Sequence, residues 1–221
     1  MMQLTSTARI GTDILETVCS KAKALAVGLI CCRISSTDDE TAVSLIDAGF
    51  RHVETLVTLE LTRAGKETSF PEEVSLADRG DASALCGISA RAFSYDRFHS
   101  DPMIEDSVAD ELKSTWIANS LDGRADKVFV AKKNGSAIGF CSTLRRETGI
   151  VIDLIAVDPS WSGKGYGKKL VQAVIADYSQ VNAIQVGTQK NNTASLSLYA
   201  SFGFRQIRTA ESYHWTPETV V

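Results

Sequence analysis

Apolar and polar positions along the chain switch between two periods, and the switches mark the elements. Asp13 to Ala26 carries apolar residues at helical spacing, and Gly28 to Ile34 follows as a short apolar run that reads as a buried strand. Thr37 with Glu40 makes a capping box that opens a helix to Ala48, and Gly49 closes it. Arg51 to Leu61 alternates as a strand, and the polar stretch from Arg63 to Glu73 reads as a linker. Beyond it lie a strand at Val74 to Ala77, a helix over Ala82 to Phe93, and a second helix from Ser107 to Asn119 after a loop broken by Pro102. Strands Lys127 to Lys133 and Ser136 to Arg145 flank Asn134 and Gly135, the strongest two-residue hairpin signal. The remainder reads as strand Ile150 to Val157, a glycine-led helix to Tyr178, strand Ala183 to Gln189, helix Thr193 to Phe202 and strand Phe204 to Trp215.

This order of strands, hairpin and crossover helices predicts an α/β (α+β) fold with a mixed sheet. The chain divides into a small α/β segment, residues 1–66, and a larger domain, residues 72–221. The two parts echo each other: GLICCRIS aligns with AIQVGTQK, and Gly49-Phe50-Arg51 with Gly203-Phe204-Arg205. Leu45 then stands opposite Tyr199, and Asp38 opposite Asn192. The first part therefore reads as a degenerate half-copy of the second, against the alternative that two strand–helix–strand units coincide by chance.

Charge narrows the function. A net charge of −4 argues against a nucleic-acid binder, which usually presents a basic face. Five cysteines without a CxxC pair fit free thiols in a reducing compartment, and Cys31 with Cys32 sits inside an apolar run. The start MMQLTSTARIG lacks the pattern of a signal peptide, and no apolar run approaches the length of a membrane span. The expectation is a cytoplasmic protein without membrane insertion; with only three histidines, no metal constellation arises.

The chemistry concentrates in WSGKGYGKKL, Trp161 to Leu170, where Gly163, Gly165 and Gly167 alternate with Lys164, Tyr166 and Lys168. It fails the Walker pattern, because Lys168 is followed by Lys169 rather than Ser or Thr, and it fails the spacing of the dinucleotide fingerprint. What remains is a strand, a turn after Pro159 and a glycine-rich helix start, whose free amides and dipole favour an anion. A glycine-rich turn with solvated lysines is the alternative on spacing alone.

VDPSWSGKGYGKKLV resembles the acetyl-CoA signature of the GNAT N-acetyltransferases, V-x-P-x-x-[RQ]-G-x-G-[IY]-G-x-x-L, departing from it at Ser162. Asn192, Tyr199, Gly203 and Phe204 fit the family's N-x-x-A-x-x-x-Y-x-x-x-G-F, with Ser195 in place of Ala. The resemblance covers about residues 72 to 216. It implies acetyl-CoA as co-substrate, with Ser162 to Lys168 cradling the diphosphate and Asn192 both capping a helix and touching the coenzyme. It also implies that Ile155, Ala156 and Val157 lie on a splayed strand, with an oxyanion donor near Ile155 or Ala156. Tyr199 would return a proton to the departing thiolate, the alternative being a core tyrosine. The base that frees the amine is Asp153 or a chain of waters, and Asp153 could equally pair with Arg145.

AFSYDRFHSDPMI, Ala92 to Ile104, resembles the acceptor loop of the acetyltransferases acting on TDP-4-amino-4,6-dideoxy sugars, the TDP-fucosamine group, with Asp96 in place of the usual Ser. That likeness implies a nucleotide-activated amino sugar as acceptor. Arg97 would fork onto a phosphate or a carboxylate, Phe98 would cover an apolar sugar face or anchor the loop, and His99 and Asp101 would hold hydroxyls. His214, on the terminal strand, is the remaining candidate contact. An ordered loop pinned by an Arg97–Asp101 pair is the competing reading. A protein N-terminus, a lysine or another small amine stays open as acceptor, and so does a homodimer.

Overall fold

A computed structural model of the protein describes residues 1–4, 10–62 and 69–217. The first part of the expected linker, 63–68, and part of the N-terminal stretch, 5–9, lie outside the described residues. The elements are β1 (Met2–Leu4), α1 (Thr12–Ala24), β2 (Ile30–Ser35), α2 (Asp39–Asp47), β3 (Arg51–Thr62), β4 (Val74–Leu76), α3 (Ala82–Ala92), α4 (Asp106–Asn119), β5 (Lys127–Lys133), β6 (Ser136–Arg146), β7 (Gly149–Val157), α5 (Tyr166–Asp177), β8 (Ala183–Gln189), α6 (Thr193–Ser201) and β9 (Arg205–Trp215). Most boundaries fall within two residues of the expected ones. The start of α2 is corrected by one: Asp38, not Thr37, is its N-cap and accepts from the Thr41 amide at 3.1 Å. Among the described residues, no helix is long and apolar enough to cross a membrane.

Among the described residues, all strands join one nine-stranded sheet in the order β1-β2-β9-β3-β8-β7-β6-β5-β4. The pairs β1–β2 and β7–β8 are parallel and the rest antiparallel. β3 lies between β9 and β8, and β9 lies between β2 and β3. The units β2-α2-β3 and β8-α6-β9 thus each insert their second strand beside the other's. Their local geometry matches as well. Asp38 caps α2 as Asn192 caps α6, and Leu45 and Tyr199 are both buried. The amides of Phe50 and Phe204 return to the carbonyls of Leu45 and Tyr199 across Gly49 and Gly203, both at positive φ.

One face of the sheet packs on α5, where Leu170, Val171, Ala173 and Val174 meet Phe129, Ile150, Ile152, Val186 and Phe204. The other face packs on α3 and α4 through Leu85, Ile88 and Ile117 against Val130, Phe140 and Leu154. A further cluster joins α1 and α2 to β2 and β9 through Leu15, Leu45, Phe50, Tyr213 and Trp215.

The opening that positions the site starts from a pinch. β7 pairs with β8 only at Ile150–Ile184, Val151–Gln185 and Ile152–Val186. At its base Gly149 has φ +146°, and a Cβ there would stand 2.3 Å from the Ala183 carbonyl oxygen, so the two backbones can meet only with glycine. Beyond Ile152 a register shift against β6 makes a bulge at Asp153, and Leu154 N donates to Ser142 Oγ at 3.2 Å. The strands then diverge and leave Asp153 to Val157 and Gly187 to Gln189 facing an open V.

Candidate active site

The V opens into a cavity of about 670 Å³, lined by β7 from Val151 onward, the α5 turn, β8, α6, the Ala92–Phe98 loop and residues of β2, β3 and β9. At its β7 wall the amide of Asp158 donates to Ile138 on β6. Strand alternation then turns the amides of Ile155 and Val157 toward the cavity and that of Ala156 toward β6. Of the two oxyanion candidates, Ile155 therefore presents its N–H and Ala156 does not.

The glycine turn has the geometry of a cradle. Gly163 and Gly165 have φ +73° and +84°, and a Cβ on either would meet nothing within 4 Å, so their surroundings are open space. Gly165 is the N-cap of α5, and no side chain caps it, which leaves the first-turn amides for an external acceptor. An anionic diphosphate fits this setting through backbone donors and the helix dipole. Gly167 instead faces Leu198 on α6, and Tyr166 is buried edge-on to Trp161. Ser162, Gly163, Gly165, Tyr166, Gly167 and Asn192 all line the cavity. Lys164 bonds the Ser160 carbonyl at 3.0 Å and lies over the Trp161 ring, while Lys168 lies over Phe202.

Tyr199 lines the cavity from α6 and is buried among Cys141 and Phe204. Burial pushes its phenol well above the ordinary tyrosine range, with the neighbouring Cys141 adding to the effect, so it stays protonated at neutral pH. Asp153 also lines the cavity. Its partner is Arg124, at 2.5 and 3.3 Å, whereas Arg145, the partner considered from the sequence, bonds Asp126.

The acceptor loop splits into two groups. Asp96, Arg97 and Phe98 line the cavity, whereas His99, Asp101 and His214, the other expected acceptor contacts, are not among its lining residues. Asp101 is 1% exposed and accepts from Arg51 at 2.6 and 2.7 Å, from the Met103 amide at 3.0 Å and from His214 Nδ1 at 2.8 Å. Burial acts to raise its pKa, but these bonds outweigh it and hold the carboxyl below its usual range. The Arg97–Asp101 pair considered from the sequence does not form: Arg51 takes that place, and Arg97 Nε is buried with no hydrogen-bond partner.

His99 donates or accepts toward Asp96 at 2.6 Å and Asp110 at 3.1 Å, and Asp96 also faces Lys113 at 3.4 Å. Asp96, the departure from the family loop, thus pairs with both His99 and Lys113. Lys113 is caged by Phe93, Trp116 and Phe98, and burial lowers its pKa despite Asp96. Sequence reasoning missed four charged residues of the cavity: Arg33, Glu54, Lys113 and Arg208. Glu54 on β3 is buried and bonds Arg33, Ser212 and Gln189 at 2.7–3.1 Å. Arg33 and Glu54 come from strands far in sequence from the motif-bearing region, and no local signal marks either of them.

A model of the Acetyltransferase (GNAT) family matches residues 91–204, just over half of the chain. The spore coat polysaccharide biosynthesis protein SpsD of Bacillus subtilis is 31% identical over 147 residues, covering 66% of this chain and 51% of that protein. The chain therefore spans about half the length of SpsD. The [ribosomal protein bS18]-alanine N-acetyltransferase of Haemophilus ducreyi is 30% identical over 108 residues, 48% of this chain and 73% of its own length. Among solved structures, a functionally unknown conserved protein from Staphylococcus epidermidis superposes with TM-score 0.68 at 12% identity, covering 94% of this chain and 82% of its own. That likeness is one of fold.

Proposed function

Because the chain belongs to the GNAT acetyltransferase family, we propose that it acetylates the primary amine of a nucleotide-activated amino sugar of the TDP-4-amino-4,6-dideoxyhexose type, using acetyl-CoA. When bound, acetyl-CoA supplies a thioester carbonyl open to attack by a neutral amine. Gly163, Gly165 and the first amides of α5 receive its diphosphate, and Asn192 borders the same path. The Ile155 N–H faces the opening and stabilises the negative charge that develops on the carbonyl oxygen. Tyr199, which lines the cavity from α6, delivers the proton to the sulfur as the carbon–sulfur bond breaks.

The attacking amine must first lose a proton. Both carboxylate oxygens of Asp153 are engaged by Arg124, so neither is free to hold the incoming amine. The proton accordingly leaves by water to bulk solvent, with Asp153 shaping the bulge.

The observation that carries the choice of acceptor is Arg97, which has no carboxylate partner among the described residues and stands in a cavity wall that the Ala92–Phe98 loop helps to form. The likeness to SpsD, named for polysaccharide biosynthesis, points the same way. A protein N-terminus is the second reading, favoured by the likeness to a bS18-alanine N-acetyltransferase. The two separate in one assay. Thioester loss is followed against TDP- and UDP-linked amino sugars and against alanine-initiated peptides. Acetylation of the TDP-4-amino sugar is expected; turnover of the peptides alone would overturn the sugar reading.

A further inference from the structure

The cationic residues of the cavity are not balanced by its carboxylates. Glu54, Asp96 and Asp153 line it, and each is already paired: Glu54 with Arg33, Asp96 with Lys113 and His99, Asp153 with Arg124. Arg97 and Arg208 also line it, and among the described residues neither makes a hydrogen bond or ion pair to a carboxylate. Arg97 lies against the Phe98 ring, 4.7 Å from its centre, which fixes the guanidinium without neutralising it.

Their place in the sheet separates them from the glycine cradle. Arg33 lies on β2 and Arg208 on β9, where it is opposite Thr58 of β3. These strands stand on the β8 side of the opening, whereas the cradle follows β7. The coenzyme's diphosphate, seated on the cradle, does not account for them. Crowding is felt within the group: burial, opposed by Glu54, and then the charges of Arg97 and Arg208 hold the Arg33 guanidinium below its usual pKa. An anion would relieve this repulsion, and a sugar diphosphate, a dianion at neutral pH, matches two uncompensated guanidiniums. A single carboxylate would leave one of them unbalanced.

We infer that Arg33, Arg97 and Arg208, brought together from β2, the acceptor loop and β9, form a second anion site that holds the diphosphate of the acceptor nucleotide. The inference rests on the nucleotide-sugar reading above. It gives residues 1–62 a part in the site through Arg33, with Glu54 holding that arginine in place. Arg97 and Arg208 present their planar forks to the phosphate oxygens.

The test uses the full chain saturated with coenzyme A and titrated with TDP by calorimetry. TDP is expected to bind without displacing coenzyme A. Its Kd is expected to rise by about tenfold or more in Arg97→Ala and Arg208→Ala, with partial recovery in Arg208→Lys. Arg208 is exposed and makes no ion pair among the described residues, so its variants should melt like wild type. TDP displaced by coenzyme A, or bound equally well by both alanine variants, overturns the site. Turnover on the amino-sugar panel distinguishes the two readings. Arginine-dependent TDP binding without sugar acetylation removes the reaction and keeps the site. Sugar acetylation with an unchanged acceptor KM in both variants keeps the reaction and removes the site.

Discussion

Arg51 grips Asp101 with two parallel hydrogen bonds, from Nε at 2.6 Å and from Nη2 at 2.7 Å, and so fastens the acceptor loop to β3. A third bond, from Arg51 Nη1 to Thr216 Oγ1 at 3.1 Å, ties in the residue after β9. Because Asp101 is satisfied from this side and by His214, it makes no claim on Arg97. The guanidinium that faces the cavity owes its freedom to one that does not.

Removing that grip should act on stability and on the acceptor together. Arg51→Ala leaves the Asp101 carboxylate buried with only His214 and an amide as partners, at a cost of about 3 kcal/mol. The acceptor KM should rise while coenzyme A affinity holds. Denaturant unfolding and initial rates check both halves; an unchanged KM in a destabilised variant would show that the loop keeps its shape without Arg51.

Tyr199→Phe keeps the ring against Phe204 and deletes the hydroxyl. If the hydroxyl is the proton donor, kcat should fall by roughly 10²–10⁴-fold with both affinities and the melting temperature little changed. A kcat within about twofold of wild type would take Tyr199 out of the mechanism.

Much of this was legible in the residues. The Asn134–Gly135 turn, both residues at positive φ, follows from the dipeptide, and the cradle follows from alternating glycines at a helix start. The echo between the two halves set Asp38 opposite Asn192, yet the capping-box pattern put the α2 cap one residue early, at Thr37. Partners were not legible, because they depend on which strands become neighbours. Arg124 rather than Arg145 reaches Asp153 because a π-helical turn at Ser120–Arg124, unmarked by any apolar period, carries it there. Arg33, Glu54 and Arg208 reach the cavity only through the insertion of β3 and β9 between one another's neighbours, a matter of strand order that periodicity does not encode.

Gly165→Val tests the cradle. Its φ of +84° is strained for a branched side chain, and the added methyls would enter the open space where phosphate oxygens approach. Coenzyme A affinity should fall by at least about tenfold with the fold retained by circular dichroism. Calorimetry that returned the wild-type affinity would place the diphosphate elsewhere.

Asp153→Asn separates a base from a scaffold. With water carrying the proton, kcat should drop less than about tenfold. A loss of a hundredfold or more, with the pH profile shifted, would reinstate Asp153 as the base.

His99 gives a pH signature. Burial works against its charged form, but the bonds to Asp96 and Asp110 prevail and raise its pKa above 6.5. A raised native pKa adds stability that is fully present below about 6.5 and is lost as the pH climbs through the native value. Stability should therefore decline on the alkaline side of neutrality, and His99→Gln should flatten that decline. Urea midpoints from pH 6 to 8.5 measure it; identical slopes in the two proteins would assign the effect to other groups.

The interleaving of β3 and β9 also sets a timetable for synthesis. β2 and β3 are synthesised before β8 and β9, yet β3 gains its two neighbours only from those strands, more than 120 residues later in the chain. Until then both of its edges are open to any other extended chain. The centre of the sheet closes last, through contacts of long sequence separation that slow folding. A nascent chain stalled before Ala183 should therefore be the species that chaperones hold and proteases cut.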